Sequence, residues 1–322
     1  MNILFTLDQL ILLKTIVTHG SFKSAAEALY ISQPAVSCQV QKLERQLNVI
    51  LFYRKKGNLQ FTETGHFLLQ SANKILTLCS ETCRALEDLK NLQSGTLILG
   101  ASQTTGTYFM PYLIGIFKKK YPKILIQLHI DSSRHICWSI INNQLDLAII
   151  GGEVPPEFQN QLKIISYAED ELVLIIPKSS NYSTYTEIEK SDLYSLGFIT
   201  LEKNSTIRKF IETSLAENGI EPEKLKIEME LNSIEAIKGA VEFELGAAFV
   251  SRSAITKELD LGLFKEMKVK NIKLTRNLLL ISNPNHYSSQ ATDKFIYEVL
   301  LNSENNGIKL ASEFNNKTFQ FE

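Results

Sequence analysis

Residues 21–47, SFKSAAEALYISQPAVSCQVQKLERQL, constrain what this chain can fold into more than any other stretch. Phe22, Ala25, Ala26 and Leu29 recur at helical spacing, so one face of a first short helix is apolar. The small pair Ala25-Ala26 lets another helix come close. Tyr30-Ile31 interrupts the pattern, and Ser32 then offers a side-chain oxygen to the free amides of a new helix. Pro34 falls in the first turn of that helix, where a missing N–H costs nothing. Val36, Val40, Leu43 and Leu47 form one buried stripe, and Ser32, Gln33, Ser37, Gln39, Gln41 and Lys42 occupy the opposite face. A helix-turn-helix needs this division, because base edges and phosphates are read by hydrogen-bonding groups. Spacing alone leaves open an ordinary amphipathic helical pair.

The residues that follow decide between the two. Leu51-Phe52-Tyr53-Arg54-Lys55-Lys56-Gly57 and Leu59-Gln60-Phe61-Thr62 read as a basic, glycine-tipped hairpin, and Glu63-Thr64-Gly65 opens a capped helix. That is the layout of a winged helix-turn-helix. At this point the chain resembles the LysR-type transcriptional regulators. Their N-terminal pattern is matched, in order and without gaps, by Leu7, Leu10, Phe22, Ala25-Ala26, Leu29, Ser32-Gln33-Pro34-Ala35-Val36-Ser37, Leu43-Glu44, Leu51-Phe52, Arg54 and Thr62-Glu63-x-Gly65. The expected DNA-contacting residues are Ser21, Ser32, Gln33, Pro34, Ser37 and Gln41, with Arg54, Lys55 and Lys56 on phosphates. Cys38 departs from the pattern, since many relatives carry a longer polar or basic side chain there.

At 322 residues the chain has room for two or three domains. A formal net charge of −1 says nothing about nucleic acid until it is divided. Residues 1–65 hold seven Lys/Arg and four Asp/Glu, leaving 27 basic and 31 acidic residues for the rest. Positive charge therefore gathers where phosphates would be met. Cys38, Cys79, Cys83 and Cys137 have neither disulfide-framework nor zinc spacing, and read as small core residues of a reducing compartment. The N-terminus MNILFTLDQL lacks a basic start and runs into a helix, so no signal peptide is expected. No apolar run reaches the roughly 18 residues of a membrane span.

In chain order, Leu7, Leu10, Leu13 and Val17 make the inward stripe of a first helix, with His19 at its C-terminal cap. Residues 66–93 follow the winged domain of 1–65 as a linker helix. Leu68, Ala72, Ile75, Cys79, Thr82, Leu86 and Leu89 give it a heptad seam, which at about 1.5 Å per residue is roughly 40 Å long. The seam calls for a partner: a second copy in an antiparallel or crossed dimer, or else the body of the protein. Strands expected at 96–101, 125–130, 145–150, 172–176, 197–201, 226–231 and 247–251 alternate with helices at 105–120, 135–143, 205–218 and 233–243. A strand-rich return over 269–281 and a last helix over 290–301 complete an α/β region with a mainly parallel sheet. Residues 94–302 resemble the periplasmic-binding-protein architecture of LysR effector domains, with lobes 94–167 plus 270–302 and 168–269. Residues 303–322 are polar and asparagine-rich and read as a flexible tail.

Ligands of open α/β sheets bind beyond the strand carboxyl ends, against helix N-termini. Those ends carry Ser102, Gln103, Thr104 and Thr105; Asn204, Ser205, Thr206 and Arg208; Asn232 and Ser233; and Ser133. Hydroxyls, amides and a guanidinium suit an anion; ordinary helix capping would use the same residue types. Within the family, Gly100–Pro111 with Cys137-Trp138-Ser139, Asp146–Gly152, Asn204–Arg208 and Glu228–Ala236 look most like the RuBisCO-operon regulators of photosynthetic bacteria and algal plastids. The resemblance covers about residues 5–302.

The resemblance implies a homodimer or homotetramer on an inverted-repeat promoter site, a small anionic co-inducer such as a sugar phosphate or nicotinamide nucleotide, and contact with RNA polymerase. It implies no membrane, no conventional cofactor, and a plastid stroma or bacterial cytoplasm as the setting. Within the family the alternative is a LysR-type regulator of a different operon, and the two competing classes fare poorly. An enzyme on the α/β lobes lacks support, since the five histidines are scattered and no nucleophile-elbow, P-loop or metal-ligand spacing occurs. A solute-binding module would need export.

Overall fold

A computed structural model describes residues 4–55, 58–90, 95–285 and 287–300. The chain forms two units, Met1–Lys90 and Asn91–Glu322.

In the first unit, helix α1 (Leu7–His19) starts at a capping box in which Thr6 and Gln9 exchange side-chain-to-backbone hydrogen bonds. It ends at Gly20, which at φ +71° takes the left-handed cap; His19 is only the last helical residue. The stripe expected on α1 shifts: Leu10, Leu12, Leu13 and Ile16 are buried, whereas Leu7 and Val17 are exposed. The helix packs against more than one neighbour, so its buried face is wider than a single row and turned by about one residue. Helix α2 (Phe22–Ala28) is capped by Ser21 and helix α3 (Gln33–Leu47) by Ser32. Ala25, Ala26, Val36, Val40 and Leu43 join the α1 residues in one core, with Phe22, Leu29 and Leu47 at its edge.

Strands β1 (Phe52–Lys55) and β2 (Asn58–Phe61) pair antiparallel as the wing. Glu44 Oε1 accepts from Leu51 N at 2.8 Å, tying α3 to the wing. Helix α4 (Glu63–Lys90) begins where Thr62 Oγ1 donates to Ile50 O at 2.6 Å and accepts from Gly65 N at 2.9 Å. The heptad seam divides. Leu68, Ala72 and Ile75 pack, with Leu69 and Leu76, into the unit's own core, while Thr82 and Leu86 lie exposed.

The second unit opens with β3 (Gly95–Ser102), a π-turn at Thr105–Phe109, α5 (Met110–Lys120), β4 (Ile124–Asp131), α6 (Ser133–Ile141) and β5 (Leu147–Gly151). The helix expected over 105–120 is thus a π-turn running into an α-helix. Next come β6 (Lys163–Ile176), β7 (Glu187–Ile188), β8 (Gly197–Leu201), α7 (Thr206–Glu217), β9 (Lys226–Leu231), α8 (Ile234–Glu242) and β10 (Ala248–Ser251). The chain continues through α9 (Thr256–Leu261), β11 (Lys265–Val269), β12 (Leu274–Ser282) and α10 (Gln290–Phe295), which passes into a π-turn at Ile296–Leu300. Helix α9 and the first nine residues of β6 were not expected from the sequence, and the tail at 303–322 lies outside the described residues.

The sheet is mixed rather than mainly parallel. Strands run β4-β3-β5-β12-β6-β11-β7, with β10 also on β6, and β8-β9 form a separate parallel pair. Contacts within β4-β3-β5 are parallel, but β12 is antiparallel to both β5 and β6. Strands β6 and β12 serve two lobes. Tyr167, Ala168, Leu278 and Leu280 pack in one core, and Leu172, Leu174 and Leu274 in another. Between them Asp170 pairs in register with Arg276. Of the cysteines only Cys137 is buried, and burial pushes its thiol up to about 12; Cys38 and Cys83 are exposed, contrary to expectation.

Candidate functional site

Two faces carry the expected functional residues, one in each unit. On α3 the apolar stripe points inward and leaves Ser32, Gln33, Pro34, Gln39 and Lys42 exposed, with Ser37 and Gln41 half-buried. Ser32 Oγ accepts from Ala35 N at 3.3 Å, and Ser21 Oγ accepts from Ser24 N at 3.0 Å. Both serines are therefore helix caps, with Ser21 also donating to Ser24 Oγ at 2.8 Å. Cys38 stands exposed on the same helix. Arg54 and Lys55 lie on β1, paired with Leu59 and Asn58; their side chains and Lys56 lie outside the described residues.

In the second unit a cavity of about 240 Å³ opens at the carboxyl ends of β3, β4, β8 and β9. It brings together Ser102, Gln103 and Thr104 from one wall, Ser133 at the start of α6, and Asn204, Ser205, Thr206 and Asn232 from the other lobe. Three expected residues are not part of its lining. Thr105 is buried, with Oγ1 3.1 Å from Ser102 Oγ. Ser233 caps α8. Arg208 is turned away: Nε meets Glu212 at 2.7 Å, and Nη1 meets Glu230 at 2.6 Å and Leu201 O at 2.8 Å. Its Nε and Nη1 are taken by these neighbours.

Some hydroxyls of the lining are already engaged, Ser102 Oγ by Gly151 N at 3.1 Å and Ser205 Oγ by Arg208 N at 3.4 Å. Others are not. Thr104 Oγ1 and Ser133 Oγ are buried without a hydrogen-bond partner. Buried polar groups are nearly always satisfied, so two unpartnered hydroxyls on residues of one cavity lining stand out.

The residues missed from sequence are Asp131, Glu202 and above all Arg276. A signal for Arg276 existed. Alternate residues of a strand share a face, and Leu274, Leu278 and Leu280 place position 276 inward. A charged side chain at that register needs a buried partner, and Asp170 supplies it: Oδ2 accepts from Arg276 Nε at 2.8 Å.

Models of two families match the chain: the bacterial regulatory helix-turn-helix protein of the lysR family over residues 7–66, and the LysR substrate binding domain over residues 90–301. The chain belongs to the LysR family of transcriptional regulators. A probable RuBisCO transcriptional regulator of Chlorokybus atmophyticus is 60% identical to this LysR-type chain over 92% of it and 95% of its own length. Relatives of the same description occur in Porphyra purpurea and in Nostoc sp.. Among solved structures, full-length CbnR complexed with its target DNA is similar at TM-score 0.70 and 16% identity, over 92% of this chain and 99% of CbnR. The regulatory domain of Synechocystis CcmR in complex with 2-PG is similar at TM-score 0.58 and 24% identity, over 66% of this chain and 99% of that one. The fold of a LysR regulator, a helix-turn-helix unit followed by a two-lobed α/β effector domain, is therefore the fold of this chain.

Proposed function

We propose that this LysR regulator controls expression of the RuBisCO genes and changes its grip on their promoter when a small anionic metabolite fills the cavity between the lobes. The observation that carries the reading is the polar face of α3, displayed above a complete winged-helix core in a chain so like the probable RuBisCO regulators. Gln33, Pro34, Ser37 and Gln41 face base edges, with Ser21 and Ser32 at the two helix starts and Arg54, Lys55 and Lys56 on phosphates. Ser102, Gln103, Thr104, Ser133, Asn204, Ser205, Thr206 and Asn232 hold the ligand.

Support for a compact acid comes from the 2-PG in the CcmR domain and from the cavity of about 240 Å³, which falls below the range of pockets that enclose drug-sized molecules. A sugar phosphate or a phosphorylated acid fits such a space better than a nicotinamide nucleotide. The protein acts without catalysis, as a homodimer or homotetramer on an inverted repeat where it meets RNA polymerase. Its relatives' sources favour a plastid stroma or a bacterial cytoplasm.

Footprinting upstream of the RuBisCO large-subunit gene at fixed salt tests this. The native chain should protect an inverted repeat, and the Gln33→Ala/Arg54→Ala protein should lose about tenfold or more in selective affinity while staying folded. Equal protection by both proteins would sink the reading.

A further inference from the structure

The cavity lining carries two carboxylates, Asp131 and Glu202, and among the described residues one cationic side chain, Arg276. Without that guanidinium the site would repel an acid. Arg276 is 4% exposed, sits on β12 where the strand passes between the lobe cores, and is packed against Gly151. A Cβ at residue 151 would lie 2.8 Å from the guanidinium carbon, so glycine there makes room for it.

Asp170 answers only part of the charge. Its Oδ2 accepts from Nε at 2.8 Å, while Oδ1 is taken by Ser251 Oγ at 2.5 Å. Nη2 lies 2.7 Å from the same Oδ2, but at an angle that leaves its N–H groups without a hydrogen-bond acceptor. A buried guanidinium with unspent donors is costly unless something completes its set, and carboxylate or phosphate oxygens match its fork. Thr104 and Ser133, whose hydroxyl oxygens are likewise buried and unpartnered, are residues of the same cavity lining. Ser133 also opens α6, a helix of nine residues.

We propose that Arg276 is the residue that binds the acidic group of the ligand, with Thr104 and Ser133 completing the seat, and that Asp170 competes with the ligand for the guanidinium and partly offsets its charge. This rests on the cavity being the effector site. The site then selects small acids bearing a phosphate or carboxylate, and it reads their charge at the strand pair joining the lobes.

The test titrates the full-length chain calorimetrically with 2-phosphoglycolate, inorganic phosphate and uncharged glycolamide. The native protein should bind the first most tightly, the second more weakly and the third not at all. The Asp170→Asn/Arg276→Gln protein keeps the size of both side chains and removes both charges, so no buried ion is left alone; its affinity for 2-phosphoglycolate should fall at least tenfold. Asp170→Asn alone frees the guanidinium, and binding should tighten several-fold, a gain that a merely structural arginine would not give. Native protein that binds none of the probes overturns this inference together with the reading of the cavity. Binding that survives the neutral pair within twofold, or a folded Asp170→Asn protein without any gain, overturns the Arg276 assignment alone.

Discussion

A charged side chain taken out of water must be met by other polar groups, and Arg208 and Arg276 show two ways of meeting it. Arg208 is closed off: two carboxylates and a main-chain oxygen hold it, and the guanidinium keeps its charge despite a burial that works to lower its pKa. Its work is to join α7 to the β8-β9 pair. Replacing Arg208 with Met should lower the free energy of urea unfolding by about 2 kcal/mol, the scale of hydrogen bonds to charged groups, and leave 2-phosphoglycolate affinity within twofold. Sequence reading took Arg208 for the ligand's cation because it stands one turn into a helix after a strand. Rotamer direction is not written in that spacing, and the decisive partners, Glu212 and Glu230, are at one helical turn and on another strand. Arg276 was passed over for the opposite reason. It lies inside a strand, away from every loop where binding residues were sought.

Among the elements, the recognition helix was legible almost residue by residue because its determinants are local. The cap at Ser32, the proline in the first turn and the stripe Val36–Val40–Leu43 all lie within a dozen residues. The wing junction is another local device. A Cβ on Gly65 would stand 2.3 Å from Leu51 O and 2.6 Å from Phe61, so the start of α4 comes against the wing only because residue 65 has no side chain. Gly65→Ala should destabilise the DNA-binding unit by about 1–3 kcal/mol, the usual penalty of overpacking, seen as an earlier denaturation midpoint for that unit. The opposite case is the first half of β6. Residues 166–171 read SYAEDE, polar enough to pass for a loop, and their extended form is set by pairing with β12, in which Asp170 and Arg276 are 106 residues apart. Non-local pairing of that kind leaves no periodic trace. The α1 stripe failed more mildly: the period was right and the phase was off, since phase depends on which neighbours the helix meets.

At the scale of the whole molecule, the first unit carries large apolar side chains on its own surface. Leu78 and Leu86 on α4 are 63% and 54% exposed, and Leu7 and Ile11 on α1 add to it. Paired copies would bury such surface and set two recognition helices at a fixed separation. If these side chains join copies, Leu78→Asp/Leu86→Asp should shift sedimentation toward the monomer and weaken binding to an inverted repeat more than to a single half-site. An unchanged sedimentation coefficient would assign self-association to another surface.

The passage between the lobes is a ladder rather than a pair of slack tethers. Strands β6 and β12 stay bonded across it, from Leu274 opposite Leu172 to Leu278 opposite Ala168. Any reorientation of one lobe against the other must therefore twist a hydrogen-bonded ribbon, which stores elastic energy from the first degree of travel. Such a pivot makes the joint between the lobes part of the sheet itself, less a loose hinge than a leaf spring.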